Sequence, residues 1–190
     1  KIRLDAPVQS IRRVDDGVFI TSRFGEEKFD AVFIASHSDQ ALALLADPSE
    51  TELEVLGAIK YQGNEVLLHT DESVLPTRRR AWAAWNYHLL GGNQTRVPVT
   101  YNMNILQGFD CPQQFCVTLN NSDAIDPSKV LKRMHYQHPV YTPESVAAQA
   151  RQAEINIGRT FYCGAYWRYG FHEDGVVSAL EALKHFEQSL

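Results

Sequence analysis

The chain has few of the features that mark several functional classes. Its three cysteines, Cys111, Cys116 and Cys163, cannot all be paired, and nothing in the composition demands an oxidising compartment, so reduced thiols are expected. Cys111-x4-Cys116 does not have zinc-binding spacing, and His135-x-x-His138 lacks a carboxylate in the motif, so no metal site is expected. Basic residues number 18 against 23 acidic ones, a net charge of −5. The one basic run, Arg78-Arg79-Arg80, reads as a solvated strand end or loop, and without a basic stripe nucleic acid is not an expected partner. No apolar run reaches the ~20 residues of a membrane span, and Lys1-Ile-Arg-Leu-Asp5 is not a signal peptide; a cytoplasmic location is expected. A Gly-x-Ser-x-Gly elbow, a Gly-x-Gly-x-x-Gly phosphate loop, internal repeats and low-complexity tracts are all missing. The chain opens in strand-like sequence without an initiator Met, as expected of a segment of a longer polypeptide.

What remains is a globular composition, 44% hydrophobic and 22% charged over 190 residues, enough for one large or two small domains. Residues 7–14 carry Val8, Ile11 and Val14; Asp15-Asp16-Gly17 is a hairpin signal, because Asp and Gly tolerate positive φ, and 18–24 is a second strand. Gly25-Glu26-Glu27-Lys28 is expected to turn, and 29–35 to form a third strand whose apolar tail enters a larger sheet. Ser38 is expected to cap a short helix carrying Ala41, Leu42 and Leu45. Ser49-x-x-Glu52 is a capping box opening a second helix with Leu53, Leu56 and Ile59 on its inner side. Further strands are expected at 64–71, 79–88, 97–101, 115–119 and 130–136, a turn at Gly91-Gly92-Asn93, and a short helix at 102–107. An exposed crossing bracketed by Pro139 and Pro143 should lead to a helix at 144–155.

The most informative stretch is 159–183. Thr160 to Cys163 is rich in β-formers, Gly164 stops the run, and Val176, Ala179, Leu180, Leu183 and Phe186 recur at helical spacing. Ser178, Glu181, Lys184, His185 and Gln188 fall on the other face. Asp174 stands at the expected N-cap, with Gly175 just inside. A strand feeding a helix through a glycine-punctuated turn presents free amides and partial positive charge to an electron-rich oxygen or a phosphate. The same residues are also what an ordinary capped amphipathic helix needs.

Gly164, the aromatic run after it, and Tyr169-Gly170-Phe171-His172-Glu173-Asp174-Gly175-Val176 resemble the C-terminal flavin motif of the flavin-containing amine oxidase superfamily. Within it, the bacterial branch of FAD-binding oxidoreductases is the nearest in pattern, and Leu68-His69-Thr70-Asp71, Leu75-Pro76, Trp85-Asn86-Tyr87 and Thr100-Tyr101-Asn102 are similar to that branch too. The resemblance implies that the backbone of Asp174, Gly175 and Val176 faces the flavin pyrimidine edge, that Gly164 adjoins the cofactor, and that the segment around Val8 lies beside the adenine. Trp167, Tyr169 and Phe171 would wall the substrate site or pack in the core; His172 would relay a proton or merely hydrogen-bond across the loop. Ala165 stands where many relatives have an acidic residue, and the run 64–71 has no lysine of the kind amine oxidases place near flavin N5.

The expectation is therefore an α+β fold. Residues 1–46 form a β-meander and 156–190 a strand and helix, both belonging to an FAD-binding domain, and 47–155 form an antiparallel or mixed-sheet substrate-binding domain with flanking helices. The implied function is the C-terminal portion of an FAD-dependent oxidoreductase that abstracts a hydride from a small-molecule substrate. The alternative is a cofactor-free binding or oligomerisation module that keeps the fold.

Overall fold

The computed structural model describes residues 1–91 and 96–188; the turn expected at Gly92-Asn93 and the side chain of Gln188 lie outside them. In chain order the elements are β1 (Val8–Val14), β2 (Gly17–Ser22), β3 (Gly25–Phe29), β4 (Val32–Ile34), α1 (Ser38–Leu44), α2 (Glu50–Ala58), β5 (Lys60–His69), β6 (Trp85–Tyr87), β7 (Val99–Asn102), α3 (Met103–Gln107), β8 (Cys116–Leu119), β9 (Val130–Val140), α4 (Pro143–Gln149), α5 (Gln152–Ile155), β10 (Thr160–Tyr162) and α6 (His172–Gln188). The fold is α+β, and among the described residues no helix is long and apolar enough to cross a membrane. Two compact units share the chain: Lys1–Tyr61 with Pro139–Leu190, and Gln62–His138.

In the first unit, β1, β2 and β3 form an antiparallel meander. Asp15-Asp16 makes the turn, and Gly17 is required by close approach, since a Cβ there would lie 2.6 Å from the Phe29 carbonyl oxygen. Gly25-Glu26-Glu27-Lys28 is a strand rather than the expected turn. It forms the meander's edge, where exposed charges are tolerated and discourage further pairing, and Arg12–Glu26 and Lys28–Asp16 pairs flank it. The expected strand 29–35 is split accordingly: Phe29 ends the meander, while β4 leaves it to pair in parallel with β10.

Helix α2 opens with the Ser49–Glu52 capping box. Its inner face is Glu52, Val55, Leu56 and Ile59, and Leu53, expected inside, is half exposed. The rotation follows from Glu52, a carboxylate only 3% exposed. Arg13 of β1 grips it with both guanidinium nitrogens (2.6 and 3.0 Å), and the Tyr162 hydroxyl of β10 donates at 2.6 Å. Burial alone would raise the Glu52 carboxyl, but Arg13, Tyr162 and the Ser49 amide outweigh it and hold it below its ordinary value. Ser38 proves to be the first residue of α1, with His37 as N-cap; its hydroxyl is drawn inward to the Ile59 carbonyl. The expected helix 144–155 breaks into α4 and α5 around Ala150-Arg151. One core joins Ile11, Ile34, Ala41, Val55, Leu56, Ala148, Ile155, Tyr162 and Trp167. Because α1, α2, α4 and α5 share it, the units divide at 61/62 and 138/139, whereas the sequence pattern suggested 46/47 and 155/156.

The second unit is a five-stranded sheet in the order β6-β7-β8-β5-β9. Registers give it two unlike faces. Leu68–Val117–Tyr101–Trp85 and Val66–Leu119–Val99–Tyr87 are apolar rows on one side; Leu67–Thr118–Thr100–Asn86 and His69–Cys116–Asn102 lie on the other, where all seven are buried. The polar side is inward because its groups bond one another: His69 Nε2 to Thr118 Oγ1 (2.7 Å), Thr118 to Thr100 Oγ1 (2.7 Å), and Asn86 to the Thr100 carbonyl (3.2 Å). Trp85 and Tyr87, on the other face, are half exposed. Only Trp85–Tyr87 of the strand expected at 79–88 forms, after a 3-10 turn at Arg79–Ala81. Pro139 lies within β9 rather than bounding a loop, which an edge strand allows.

Two outcomes follow for stability. Glu52→Ala leaves the buried Tyr162 hydroxyl without an acceptor and Arg13 with Asp47 alone, and should cost about 3 kcal/mol, and Tyr162→Phe about 1 kcal/mol, in urea unfolding; equal, negligible losses would contradict the network. Burial pushes His69 and His88 below the ordinary 6.5, so the unfolded chain binds more protons in acid. Their contribution is therefore complete above about pH 6.5 and is lost as pH falls through the folded values. Urea midpoints should hold from pH 8 to 7 and decline from 6.5 to 5; a rise on acidification would refute the assignment.

Candidate functional site

The strand-to-helix passage at 160–175 is built around glycines and small residues. Strand β10 is fully buried, with Phe161 stacked on Phe33 at 5.0 Å and edge-on to Phe186 at 5.4 Å. Beyond Cys163, the Tyr166 ring folds back over Gly164 so closely that a Cβ would lie 2.4 Å from its Cε1. The Gly164 amide donates to Ser178 Oγ at 2.8 Å, tying the turn Ala165–Trp167 to α6. Gln149 of α4 then donates to the carbonyls of Tyr166 (2.8 Å) and Arg168 (2.7 Å), and Gly170, at φ +90°, bends the chain into the helix.

Helix α6 begins at His172, three residues before the expected first helical residue, Gly175. Asp174 is thus inside the first turn, where its carboxylate accepts the Phe171 amide at 2.9 Å. The amides of Asp174 and Gly175 both point at the Phe171 carbonyl (3.0 and 3.3 Å), and Val176 is in the helix interior. Helix geometry therefore leaves the His172 and Glu173 amides at the open end. A Cβ on Gly175 would meet Ala165 at 3.9–4.0 Å, an ordinary contact, so the approach of helix to turn does not require glycine here. His172 is exposed, and the structure gives its side chain no hydrogen-bond partner among the described residues.

The apolar stripe of α6 is not where its spacing suggests. Asp174, Ser178 and Ala182 face the core, while Val176, Leu180 and Leu183 are 54, 53 and 43% exposed. Small side chains on the inner face let the helix lie close to β10 and the turn, so the larger ones are left outside. Of the aromatics, Trp167 belongs to the core, and Tyr169 and Phe171 are exposed. Two buried polar atoms at the turn, Tyr166 Oη and Trp167 Nε1, have no well-formed hydrogen bond to the rest of the unit, and the indole lies near enough to interact with the hydroxyl. Burial pushes the Tyr166 hydroxyl far above its ordinary value, so it stays protonated. Neither was legible in the sequence, because an aromatic pair reads as core whether or not its polar atoms are satisfied.

Val8 lies at a separate cleft of about 670 Å³ in the same unit, with Pro7, Ile11, Val32, Phe33 and Ser36 among its lining. The β1–β2 register slips between Val8 and Ser10, a bulge that kinks the strand at this mouth. The cleft includes Ile34, Ala35 and Ser36, the carboxyl end of a parallel strand, where α/β sheets commonly take ligands. Among the described residues no group of three His, Cys, Asp or Glu could hold a metal ion.

No protein-family model matches the chain, and none of the curated proteins does. Solved structures do share its fold. The full chain superimposes on 48% of a protoporphyrinogen oxidase-like protein from Exiguobacterium sp. 255-15, with a TM-score of 0.63 and 15% identity. It also matches the CLA-producing fatty acid isomerase from P. acnes (TM-score 0.58, 15% identity, 95% of this chain and 47% of that one). A third match is the cyclohexylamine oxidase from Brevibacterium oxydans IH-35A (TM-score 0.57, 10% identity, 96% and 48%). The chain spans about half the length of these structures, and the fold is the one they have in common.

The two glycines should respond oppositely to alanine. Gly164→Ala forces a buried Tyr166 ring aside and should cost about 2 kcal/mol. Gly175→Ala meets ordinary contacts and gains helix propensity, so its thermal midpoint should be unchanged or higher. Comparable losses at both would mean that the turn is not packed as described.

Proposed function

We propose that the chain is the C-terminal portion of an FAD-dependent oxidoreductase of the amine-oxidase type, with the passage from β10 through Gly164 to α6 at the isoalloxazine and the Val8 cleft at the adenosine end. The observation that carries this is the glycine-bounded passage itself: Gly164 lies under the Tyr166 ring with its amide on Ser178, and the His172 and Glu173 amides stand at the open end of a 17-residue helix. A flavin pyrimidine, with several acceptor atoms along one edge, fits such a helix start. The motif 164–175, the shared fold and the half-length coverage of matched structures are consistent with the reading. So is the small parallel pair β4–β10, since parallel strands are normally buried on both faces within larger sheets.

When bound, the flavin would supply the hydride acceptor for substrate oxidation. The chain's own part is electrostatic and positional. The His172 and Glu173 amides and the positive end of the α6 dipole favour negative charge at the pyrimidine edge, and they are already oriented by the Phe171–Asp174 cap. The second unit, with apolar rows on one face of its sheet, is the candidate for orienting the substrate. Strand β5 has no lysine beyond Lys60 at its start, so a reaction in which the protein only orients a C–H bond suits it better than one needing a basic residue on that strand. A cofactor-free binding or oligomerisation module is the second reading, favoured by the exposed stripe Val176, Leu180 and Leu183.

The 190-residue chain alone should bind FAD weakly, above the micromolar range by flavin fluorescence, because pyrophosphate contacts need a phosphate loop this sequence does not contain. Asp174→Ala separates the readings. Removing the carboxylate that accepts the Phe171 amide should lower the stability of the flavin-free protein by about 1 kcal/mol. The same change in a polypeptide that also carries the nucleotide-binding half should lower flavin retention. Unaltered flavin content would remove the role of the His172 and Glu173 amides, and a colourless full polypeptide would leave the module reading in its place.

A further inference from the structure

Strand β4 leaves one row of backbone groups open along an apolar cleft. The Val32 amide donates to the Arg159 carbonyl at 2.8 Å, and the Ile34 carbonyl accepts from the Cys163 amide at 3.1 Å. Val32 and Ile34 thus face β10, and because successive residues of a strand turn their backbone groups to opposite sides, the Phe33 N–H and C=O face the other way. Among the described residues no strand pairs with that side. The cleft of about 670 Å³ borders it: Val32, Phe33, Ile34 and Ala35 line the space in unbroken succession. Side chains alternate between the two faces of a strand, so four consecutive residues can border one space only along the strand's edge. Phe33 is 38% exposed, so the edge is reached from solvent.

The other outer edges of this unit are closed or guarded. On β10 the Tyr162 amide donates to Asn156 Oδ1 at 2.7 Å, and the Tyr162 carbonyl accepts from Gln152 Nε2 at 3.0 Å. Asn156 is 2% exposed, so a buried side-chain amide stands where a neighbouring strand would pair. On β1 the Ile11 carbonyl accepts the Ala46 amide at 2.9 Å. Edge β3 carries Glu26, Glu27 and Lys28, charges that discourage pairing. At β4 there is neither a cap nor a charge: none of the twelve residues around the cleft is charged, and its walls include Ile11, Ile20, Ala43 and Leu44.

We propose that the β4 edge is a docking site for one further strand, parallel to β4 and apolar on both faces, supplied by the nucleotide-binding half of the same protein. Direction follows from the pair already present, since β4 and β10 run parallel and parallel strands occur in larger sheets covered on both faces. Apolar character follows from the uncharged walls, and the open Phe33 N–H and C=O call for a backbone rather than a side chain. A second copy of this chain is a poor occupant, because a two-fold axis would set β4 against β4 in antiparallel fashion. This chain spans 48% of two of the matched structures, which therefore have further polypeptide to supply such a strand. The strand would run about 4.8 Å from β4, leaving the mouth at Val8 and Ser36 to the adenosine end. The proposal rests on the reading of the chain as a C-terminal portion, and it needs no flavin.

Hydrogen exchange at the Phe33 amide tests it, in flavin-free protein throughout. In the dilute 190-residue chain that amide should exchange about a hundredfold faster than the bonded Val32 amide. In a polypeptide that also carries the nucleotide-binding half, the two should be protected alike. Ala43→Glu puts a carboxylate into the cleft from α1 and leaves the β4–β10 bonds intact. It should speed Phe33 exchange in the longer polypeptide about tenfold or more, with Val32 unchanged. That comparison keeps the test available if the 190-residue chain does not fold alone. Three results overturn the proposal: Phe33 protected in the dilute chain, Phe33 protected only as the chain is concentrated, which marks a second copy, or Phe33 exchanging rapidly in the longer polypeptide. Loss of flavin with Phe33 still protected would sink the flavin reading and leave this one standing.

Discussion

The first unit depends on one buried carboxylate. Glu52 is held by Arg13 from the meander, by Tyr162 from the parallel pair and by its own capping box, so three elements far apart in sequence meet at two oxygens. A carboxylate is costly to bury unless each lone pair is met, and here every partner is supplied by a different layer. The helix cannot turn Leu53 inward without expelling Glu52, and β10 cannot shift along β4 without pulling the Tyr162 hydroxyl away. The position of β10 in turn fixes where Gly164 and the entry to α6 come to lie.

At that entry, size rather than polarity decides the packing. Gly175, Ser178 and Ala182 occupy the inner face of α6, and the Ser178 hydroxyl bridges the Gly164 amide and the Gly175 carbonyl. The helix can then sit against the turn that carries the buried Tyr166 and Trp167. A helix drawn in by its leucines would have been held further off. The stripe Val176, Leu180 and Leu183 is what this arrangement leaves exposed.

The second unit solves an opposite problem. Its sheet buries the face carrying His69, Thr118, Thr100 and Asn102, which is stable because those groups satisfy one another along the rows. Asp71 closes one end twice over: its amide fixes the His69 tautomer, and its carboxylate is held by the amides of Ser73 and Asp126 and by Lys129. Those contacts keep the Asp71 carboxyl well below the usual range despite its burial. The His69 ring is thereby anchored to the turn that follows β5.

Local chemistry was legible in the sequence wherever the responsible atoms are neighbours in the chain. The Ser49–Glu52 box, the Asp15-Asp16 turn, the β5, β7 and β8 strands and the strand–glycine–helix passage all follow from spacing of a few residues. What misled was any pattern whose meaning depends on a distant partner. Gly25 to Lys28 reads as a turn until an edge strand needs charge. Leu53 and Leu180 read as core until Glu52 and Ser178 are found bonded on the inner faces. Asp174 is a different case, a local one: it reads as an N-cap, but the helix starts earlier and its carboxylate accepts the Phe171 amide from inside the first turn. The sequence by itself determined the α+β class and the place of the glycine-bounded passage, because backbone propensity and capping act over short range. Which helix face is buried and which face of the second unit's sheet turns inward were decided only by tertiary structure, because both depend on hydrogen bonds between residues 14 to 110 positions apart.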